Sequence, residues 1–148
     1  MADFTQITAR VFTGAVIANE ADVEALVAAG VTHVVDCASG LDETPLLASH
    51  PQISLLLNGM DDDGQPKPVS WFAKTLSFVL PALALPKTKA YLHCAAGLNR
   101  GPSNALAVMI AQGWSSGTCE ALMRAARPQV TLAYKADAIA AVTALGYV

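Results

Sequence analysis

The stretch KAYLHCAAGLNRGPSNALAVMIAQG (89–113) joins two apolar runs through a loop of small residues. The first run, KAYLHC (89–94), is typical of a buried strand, and the second, 104–112, is typical of a buried helix. Cys94 stands at the end of the predicted strand, and Arg100 stands where the chain enters the helix. Because ligands bind beyond the carboxyl ends of strands in α/β sheets, the loop between Cys94 and Arg100 is a candidate ligand site.

Strands alternate with helices along the rest of the chain. This alternation predicts an α/β fold with a central, mainly parallel sheet flanked by helices on both faces. Asn19 is expected to cap the first helix, and Ser70 is expected to cap a later one that Pro81 ends or kinks. Besides 89–94, the predicted strands cover 10–14, 31–37 and 53–57; besides 104–112, the predicted helices cover about 20–29, 71–80, 118–126 and 132–145.

Size and composition narrow the class of protein. A chain of 148 residues favours one domain, 1–148, and 53% apolar against 14% charged residues is a globular composition. The net charge of -3 argues against a nucleic-acid partner. Neither a secretory signal nor an apolar run of about 20 residues is present, so we expect a cytoplasmic protein without a membrane anchor. The sequence leaves the oligomeric state open.

The three cysteines, Cys37, Cys94 and Cys119, do not form a disulfide framework, because their number is odd and no secretory signal precedes them. No cysteine and histidine residues have zinc-ligand spacing, so no metal is expected.

The loop after Cys94 has the composition of an anion-binding site. Small side chains and Gly97 let backbone N–H groups turn inward, and the next helix adds the positive end of its dipole. This surrounding favours the thiolate of Cys94, and Arg100 offers a planar fork for two phosphate oxygens. The alternative is a buried structural cysteine, because a bare C-x5-R pattern occurs by chance. The predicted phosphate-binding residues are Ala95, Ala96, Gly97, Leu98, Asn99 and Arg100.

The segment HCAAGLNR (93–100) resembles the HCxxGxxR signature of the cysteine-dependent protein tyrosine and dual-specificity phosphatases. The likeness extends over nearly the whole chain, and the length matches the compact dual-specificity type. GLNRGP (97–102) and DDGQP (62–66) look like the phosphatase of regenerating liver branch. A GxNR loop also occurs in RNA 5′-triphosphatases of the same superfamily, which carry a different pair of residues after the cysteine.

This resemblance implies a reaction that needs no metal or cofactor. Cys94 would attack a phosphate monoester in line, and an aspartic acid would protonate the leaving oxygen and then activate water to hydrolyse the phosphocysteine. His93 would support the loop and the acidity of the cysteine. The branch resemblance also implies that Cys37 can form a reversible disulfide with Cys94, although a small buried hydrophobic residue is the better interpretation of Cys37.

Three consecutive aspartates are candidates for the general acid. Asp63 lies 31 residues before Cys94 and directly precedes a glycine, as in small dual-specificity enzymes. Asp62 fits the D-x-G-x-P form of larger tyrosine phosphatases and is a close second. Asp61 fits only a count from the preceding strand. We therefore expect Asp63 to be the acid, with Asp62 as its alternative.

Several positions stay open between function and packing. Asn99 either holds the loop through its side chain or faces solvent, and Arg124 and Arg127 either contact phosphate or serve packing. Gly101 replaces the Ser or Thr that resembled enzymes use to help the thiolate leave phosphocysteine.

The expected substrate is a phosphorylated protein or a small phosphate monoester. The alternatives are an inositol phosphate, a phosphoinositide or an RNA 5′-phosphate, or a slow phosphate-binding pseudophosphatase.

Overall fold

The structure, a computed structural model, describes residues 2–148. Five strands form one sheet in the order β1-β2-β5-β3-β4. β1 pairs with β2 antiparallel, and the other three pairings are parallel. The strands are β1 (Phe4–Gln6), β2 (Val11–Gly14), β3 (His33–Ala38), β4 (Ser54–Met60) and β5 (Ala90–His93). The predicted α/β fold with a mainly parallel sheet is confirmed, and β5 lies at its centre.

Helices cover both faces of this sheet. The larger hydrophobic core packs α3 to α6 on one face, and a smaller core packs α1 and α2 on the other. The helices are α1 (Glu20–Ala28), α2 (Thr44–Leu47), α3 (Val69–Leu83), α4 (Arg100–Ala111), α5 (Ser116–Ala126) and α6 (Lys135–Ala144). Among residues 2–148, no helix combines the length and apolarity that crossing a bilayer would require.

The central unit is β5 followed by α4. All four residues of β5 are buried, and so is every residue of α4 except Ala111. α4 contacts β2, β3, β5, α3, α5 and α6, which its small side chains allow. The loop between Cys94 and Arg100 is therefore fixed at both ends by the most buried parts of the fold.

Several helix boundaries differ from those predicted, and those of α4 and α3 have clear physical reasons. α4 begins at Arg100 rather than Asn104, so the loop is shorter and Arg100 lies in the first helical turn. α3 begins before Ser70, which does not cap it, and continues past Pro81. Pro81 removes one backbone hydrogen bond, but Leu83 beyond it is buried in the core, and this packing outweighs the local cost.

The start of the chain was predicted with mixed success. Asn19 caps α1 as expected, because its side chain accepts a hydrogen bond from the N–H of Asp22. β1 and α2 were not predicted, since they have only 3 and 4 residues. β1 matters for the loop between Cys94 and Arg100, because Asp3, the residue just before β1, pairs with Arg127.

Candidate active site

The loop backbone from Ala95 to Leu98 turns its carbonyl groups away from the site. Each of the four carbonyl oxygens accepts a hydrogen bond from outside the loop. The donors are Val16 N to Ala95 O (3.1 Å), Arg127 Nη2 to Ala96 O (3.1 Å), Arg127 Nε to Gly97 O (2.7 Å) and Thr131 N to Leu98 O (2.8 Å). In a trans peptide the N–H points opposite to the carbonyl, so the N–H groups of residues 96–99 face the other side. Within residues 2–148 these N–H groups have no acceptor.

Gly97 is the residue that lets the loop take this path. Its φ is +71°, in the left-handed region that favours glycine. A Cβ at this position would lie 2.3 Å from the carbonyl carbon of Gly14 and 2.6 Å from Nη2 of Arg127. Both the backbone angle and the close contact with β2 therefore require glycine.

Cys94 immediately precedes the residues that carry these N–H groups. It follows β5, is 2% exposed, and donates its backbone N–H to the carbonyl of Gly14 at 3.3 Å. The loop then returns to the first turn of α4, whose N-terminal dipole favours an anion. The geometry brings together the thiol, an array of free N–H groups and a helix N-terminus.

Arg100 is held above the end of β4 with part of its hydrogen-bonding capacity unused. Its Nη1 donates to the carbonyl of Met60 at 2.8 Å. Its Nε is buried and has no hydrogen-bond partner among residues 2–148; the nearest carboxylate oxygen, Oδ2 of Asp62, is 3.8 Å away. A buried guanidinium N–H normally has a partner, so this group is available to a ligand.

Arg127 supports the loop from behind instead of facing a ligand. Besides its bonds to the Ala96 and Gly97 carbonyls, it makes a bidentate pair with Asp3 at 2.8 and 2.9 Å. Arg127 is 7% exposed, and it lowers the pKa of Asp3 through hydrogen bonds. Of the two possibilities left open for Arg127, the structure shows packing against the loop. Arg124 pairs with Glu120 at the surface instead.

Two of the three candidate acids point to different partners. Asp62 Oδ1 accepts hydrogen bonds from Asn99 Nδ2 at 2.7 Å and from the Tyr134 hydroxyl at 2.8 Å, so Asp62 lies over the phosphate loop. Asp63 instead pairs with Lys67 at 2.6 Å. That hydrogen bond, with one from the N–H of Gln65, lowers the pKa of Asp63.

Asn99 connects the two loops. Its amide donates to Asp62, and its carbonyl oxygen accepts from the N–H of Ala133 at 2.6 Å. Asn99 is buried, so of the two possibilities left by the sequence the structure shows the side chain holding neighbouring segments.

Tyr134 was missed by the sequence analysis. Its hydroxyl donates to Asp62 and accepts from the N–H of Gly64 at 3.0 Å, and its ring lies 4.8 Å from Nζ of Lys67. Burial raises its pKa, so the hydroxyl keeps its proton. No local pattern signals this role, because Tyr134 is 72 residues from Asp62 in sequence.

His93 belongs to a buried cluster beneath the loop. Its Nε2 lies 2.5 Å from Oε1 of Glu43, and Asp36 is the third member. Burial and a hydrogen bond to Glu43 raise the pKa of Asp36 to about 7. Although burial opposes both shifts, the His93–Glu43 hydrogen bond lowers the pKa of Glu43 and raises that of His93. The structure places His93 in this cluster, its support of the acidity of Cys94 stays a prediction, and Glu43 and Asp36 were not predicted.

The same cluster is the one group in residues 2–148 whose ligand atoms could hold a metal, since they lie within 4.8 Å of one another. Most of its polar atoms are already engaged: His93 pairs with Glu43, and Oδ1 of Asp36 accepts from the N–H of Ala38 at 2.9 Å, whereas Oδ2 of Asp36 is buried and accepts no hydrogen bond from the described residues. We interpret the cluster as a proton-sharing support for the loop.

All three cysteines are free and buried. Burial, and to a smaller degree the proximity of Cys94, raises the pKa of Cys37. Burial also raises the pKa of Cys119 to about 11, which fits its predicted core position. A disulfide between Cys37 and Cys94 under oxidation stays a prediction.

Solved structures with this architecture are numerous. Human DUSP28 superposes with a TM-score of 0.82 at 18% identity, over 98% of this chain and 96% of that one. PTPMT1 in complex with PI(5)P gives a TM-score of 0.82 at 15% identity, over 96% of each chain. The chain has the fold of the protein tyrosine phosphatases.

A third structure, the human tyrosine phosphatase-like serine/threonine/tyrosine-interacting protein, has a TM-score of 0.77 at 16% identity, over 98% of this chain and 99% of that one. No protein-family model matches the chain, and no curated protein matches it in sequence. These likenesses establish the fold alone, so the phosphatase of regenerating liver branch stays a prediction.

Proposed function

We propose that this chain hydrolyses phosphate monoesters through a phosphocysteine on Cys94. The observation that carries the proposal is the unpaired, buried Nε–H of Arg100 beside the free N–H groups of residues 96–99. Leaving a buried polar group unsatisfied costs about 1–3 kcal/mol, and more when the group is charged. A phosphoryl group above Cys94 would satisfy these donors, and the charge it gains in the transition state would strengthen the bonds.

The reaction has two steps. In the first, the Cys94 thiolate attacks phosphorus, the sulfur–phosphorus bond forms and the bond to the leaving oxygen breaks, while the acid gives that oxygen its proton. In the second, the same carboxylate takes a proton from water, and the water oxygen attacks phosphorus. The sulfur–phosphorus bond then breaks, which releases inorganic phosphate and restores the thiolate. The loop N–H groups and Arg100 bind the phosphoryl oxygens throughout.

For the acid, the geometry favours Asp62, the second choice from the sequence. Asp62 is held over the phosphate loop by Asn99 and Tyr134, whereas Asp63 is bound to Lys67. Because its pKa is lowered, Asp63 is also poorly suited to carry a proton at neutral pH. Asp61 makes no hydrogen bond through its side chain to another described residue, and its role as acid has no support from the geometry.

We propose phosphorylated proteins of the tyrosine or dual-specificity type as the substrate class. The alternatives are an inositol phosphate, a phosphoinositide or an RNA 5′-phosphate. Of the three candidate arginines, Arg100 has a buried donor without a partner among residues 2–148, whereas Arg124 and Arg127 are paired with Glu120 and Asp3. A single phosphate is thus better matched than a polyanion.

A second candidate function, a phosphate-binding protein with slow turnover, is favoured by Gly101. A Cβ at Gly101 would lie 2.9 Å from the Cα and carbonyl carbon of His93 and from the carbonyl oxygen of Leu92. The glycine therefore follows from the close packing of α4 on β5. The same packing leaves the second step without the hydroxyl that resembled enzymes place there.

The test is rapid-mixing kinetics with an aryl phosphate. We expect a burst of phenolate equal to the enzyme concentration, a phosphocysteine on Cys94 in acid-quenched protein by peptide mass spectrometry, and no turnover from Cys94→Ser. Undiminished hydrolysis by Cys94→Ser would disprove the mechanism. Phosphate binding without a burst in the wild type would support the binding protein.

The slow second step is tested at position 101 with two variants. Gly101→Ser and Gly101→Ala both meet the backbone of His93, but only serine adds a hydroxyl. If the missing hydroxyl limits turnover, Gly101→Ser will have a faster steady state than Gly101→Ala after an equal burst. Equal steady-state rates for the two variants would mean that Gly101 serves packing alone and that the missing hydroxyl does not limit turnover.

A further inference from the structure

A cavity of about 200 Å³ lies beside the phosphate loop. It opens between the segment after β2 and the segment before α2. The N–H of Val16 in its wall donates to the carbonyl of Ala95, the residue after Cys94. The cavity wall therefore adjoins the residue that follows Cys94, on the side of the loop to which the Ala95 carbonyl points. The lining residues are Val16, Ile17, Ala18, Leu41, Asp42, Glu43 and Leu46.

The lining combines apolar walls with negative charge. Leu41, Leu46 and Ile17 supply aliphatic surface, and no lysine or arginine is among the seven lining residues. Asp42 is exposed, and hydrogen bonds from Thr44 lower its pKa, so its carboxylate is charged at neutral pH. Glu43 also lines the cavity, but its carboxylate is buried and bound to His93, so the exposed negative charge in the lining is that of Asp42.

The size of the cavity matches one long side chain. Pockets for drug-sized ligands usually enclose about 300–1,000 Å³, more than this one. An aliphatic stem with a cationic end fits both features, because lysine and arginine bury their methylene groups along apolar surface and keep the charged end in water near a carboxylate. A second phosphate is excluded, because it would meet Asp42 with no cation to bind it.

We propose that this cavity binds a lysine or arginine side chain close in sequence to the phosphorylated residue of a peptide substrate. The proposal rests on the function proposed above and names its substrate class: phosphopeptides with a basic flanking residue. Extended chains advance about 3.3 Å per residue, so the experiment places the basic residue at each of the two positions on either side of the phosphorylated one.

The experiment uses fluorescein-labelled phosphotyrosine peptides of otherwise uncharged sequence. Each carries lysine, norleucine, alanine or glutamate at one position from two before to two after the phosphotyrosine. Their Kd values are measured by anisotropy with the Cys94→Ser protein, and kcat/KM with the wild type. We expect lysine at one position to bind about fivefold more tightly than alanine, norleucine to lie between them, and glutamate to bind more weakly than alanine.

The charge of Asp42 is tested with Asp42→Asn, because asparagine keeps the acceptor for the N–H of Thr44 and removes only the charge. The difference between lysine and norleucine should vanish in this variant and shrink in 0.5 M salt. Glu24→Gln makes the same change of charge on the exposed face of α1, outside the cavity, and should keep the difference.

Three results would overturn the proposal. The first is equal binding of lysine and alanine peptides at all four positions. The second is a lysine preference that survives Asp42→Asn. The third is tighter binding of a short-chain phosphatidylinositol bisphosphate than of every lysine peptide. Failure of the proposed function is seen separately, because the wild type would then not hydrolyse an aryl phosphate. Even in that case the Kd values show whether the cavity prefers a lysine side chain.

Discussion

The two loops that meet at the site are held in different ways. The phosphate loop, 94–100, is fixed through its backbone: four outward carbonyls accept hydrogen bonds, and Gly97 supplies the one left-handed residue. The acid loop, 61–68, is fixed through side chains, since Tyr134 and Asn99 hold Asp62 while Lys67 holds Asp63. A backbone-held loop tolerates changes of side chain but not of backbone, and a loop held by side chains does the reverse.

The largest effect is expected where a side chain would change the backbone of the phosphate loop. Gly97→Ala places a Cβ 2.3 Å from the carbonyl carbon of Gly14, so the loop must move and its N–H groups no longer point at the bound phosphate. Losing oxyanion-type donors costs about a hundredfold to a thousandfold each, and we expect kcat/KM to fall by about a thousandfold. Turnover of an aryl phosphate measures the loss of catalysis, and inhibition by vanadate measures the loss of oxyanion binding.

Gly64→Ala is the matched change in the acid loop. Gly64 has a φ of +75°, close to that of Gly97, but a Cβ there has nothing within 4 Å. We expect about 1 kcal/mol of lost stability and a loss of activity below about tenfold. Equal losses for both variants would show that the positive φ, and not the contact behind Gly97, decides the effect.

The second prediction separates the two acids. Asp62→Asn should lower kcat by about a hundredfold, because a general acid contributes about 10²–10⁴. Asp63→Asn should change kcat by less than about threefold, since the half-exposed Asp63 pairs with the buried Lys67 and not with a residue of the phosphate loop. The measurement is kcat against pH for p-nitrophenyl phosphate and phenyl phosphate. Asp62→Asn should slow phenyl phosphate more, because phenolate is the poorer leaving group. The fall of kcat at alkaline pH should be absent in this variant.

The reverse pattern, with Asp63→Asn as the damaging variant, would restore the first choice from the sequence. Asp61→Asn serves as the third member of the series and should match Asp63→Asn. Tyr134→Phe removes one of the two donors to Asp62 and should have an intermediate effect if the acid loop is held by side chains.

The contrast between the loops also explains how far the sequence could predict the site. The phosphate loop is local: a strand, small residues, one glycine and a helix follow one another, so the sequence could assign Cys94 and Arg100 to one loop between a strand and a helix. The choice between Asp62 and Asp63 is not local. Consecutive side chains of an extended loop point in different directions, and the partner that selects Asp62 lies 72 residues away.

The same reasoning accounts for the fold. Alternating strands and helices predicted the parallel sheet, because each element carries its own hydrophobic pattern. β1 escaped prediction because 3 residues carry too little pattern, and α3 ran past Pro81 because burial of Leu83 outweighed the local signal. Arg127 could not be assigned, since nothing in its neighbourhood distinguishes it from Arg124.

The third prediction tests the support behind the phosphate loop. Arg127→Met removes the donors to the carbonyls of Ala96 and Gly97 and leaves Asp3 unpaired, so the loop loses two of its outside bonds. We expect a loss of about tenfold in kcat/KM, since small displacements of positioning groups are costly. Arg124→Met is the control at the same end of α5 and should stay within about twofold, because its pair with Glu120 is at the surface.

Unchanged activity and vanadate inhibition in Arg127→Met would show that the loop holds its shape without outside donors. The Asp3→Asn variant sharpens the result. It keeps the donors of Arg127 and removes one charge partner, so its effect should be smaller than that of Arg127→Met.

The smallest effect is expected beneath the loops and depends on pH. Because burial and the bond to Glu43 raise the pKa of Asp36 to about 7, the folded state keeps a proton that the unfolded chain loses at about 3.9. This stabilisation is present at low pH and is lost as the pH rises through about 7. Between roughly pH 5.5 and 8 the loss is on the order of 2 kcal/mol.

Asp36→Asn, an uncharged mimic of the protonated acid, should lack this loss. Its free energy of unfolding in urea, relative to the wild type, should therefore improve as the pH rises over that range. Glu43→Gln should not improve in the same way: the lowered pKa of Glu43 means that its stabilisation is present above about pH 4.5 and lost in acid, so its removal costs stability at neutral pH. A constant difference between Asp36→Asn and the wild type would mean that Asp36 is ionised throughout. The proton shared beneath Cys94 would then have to lie on His93.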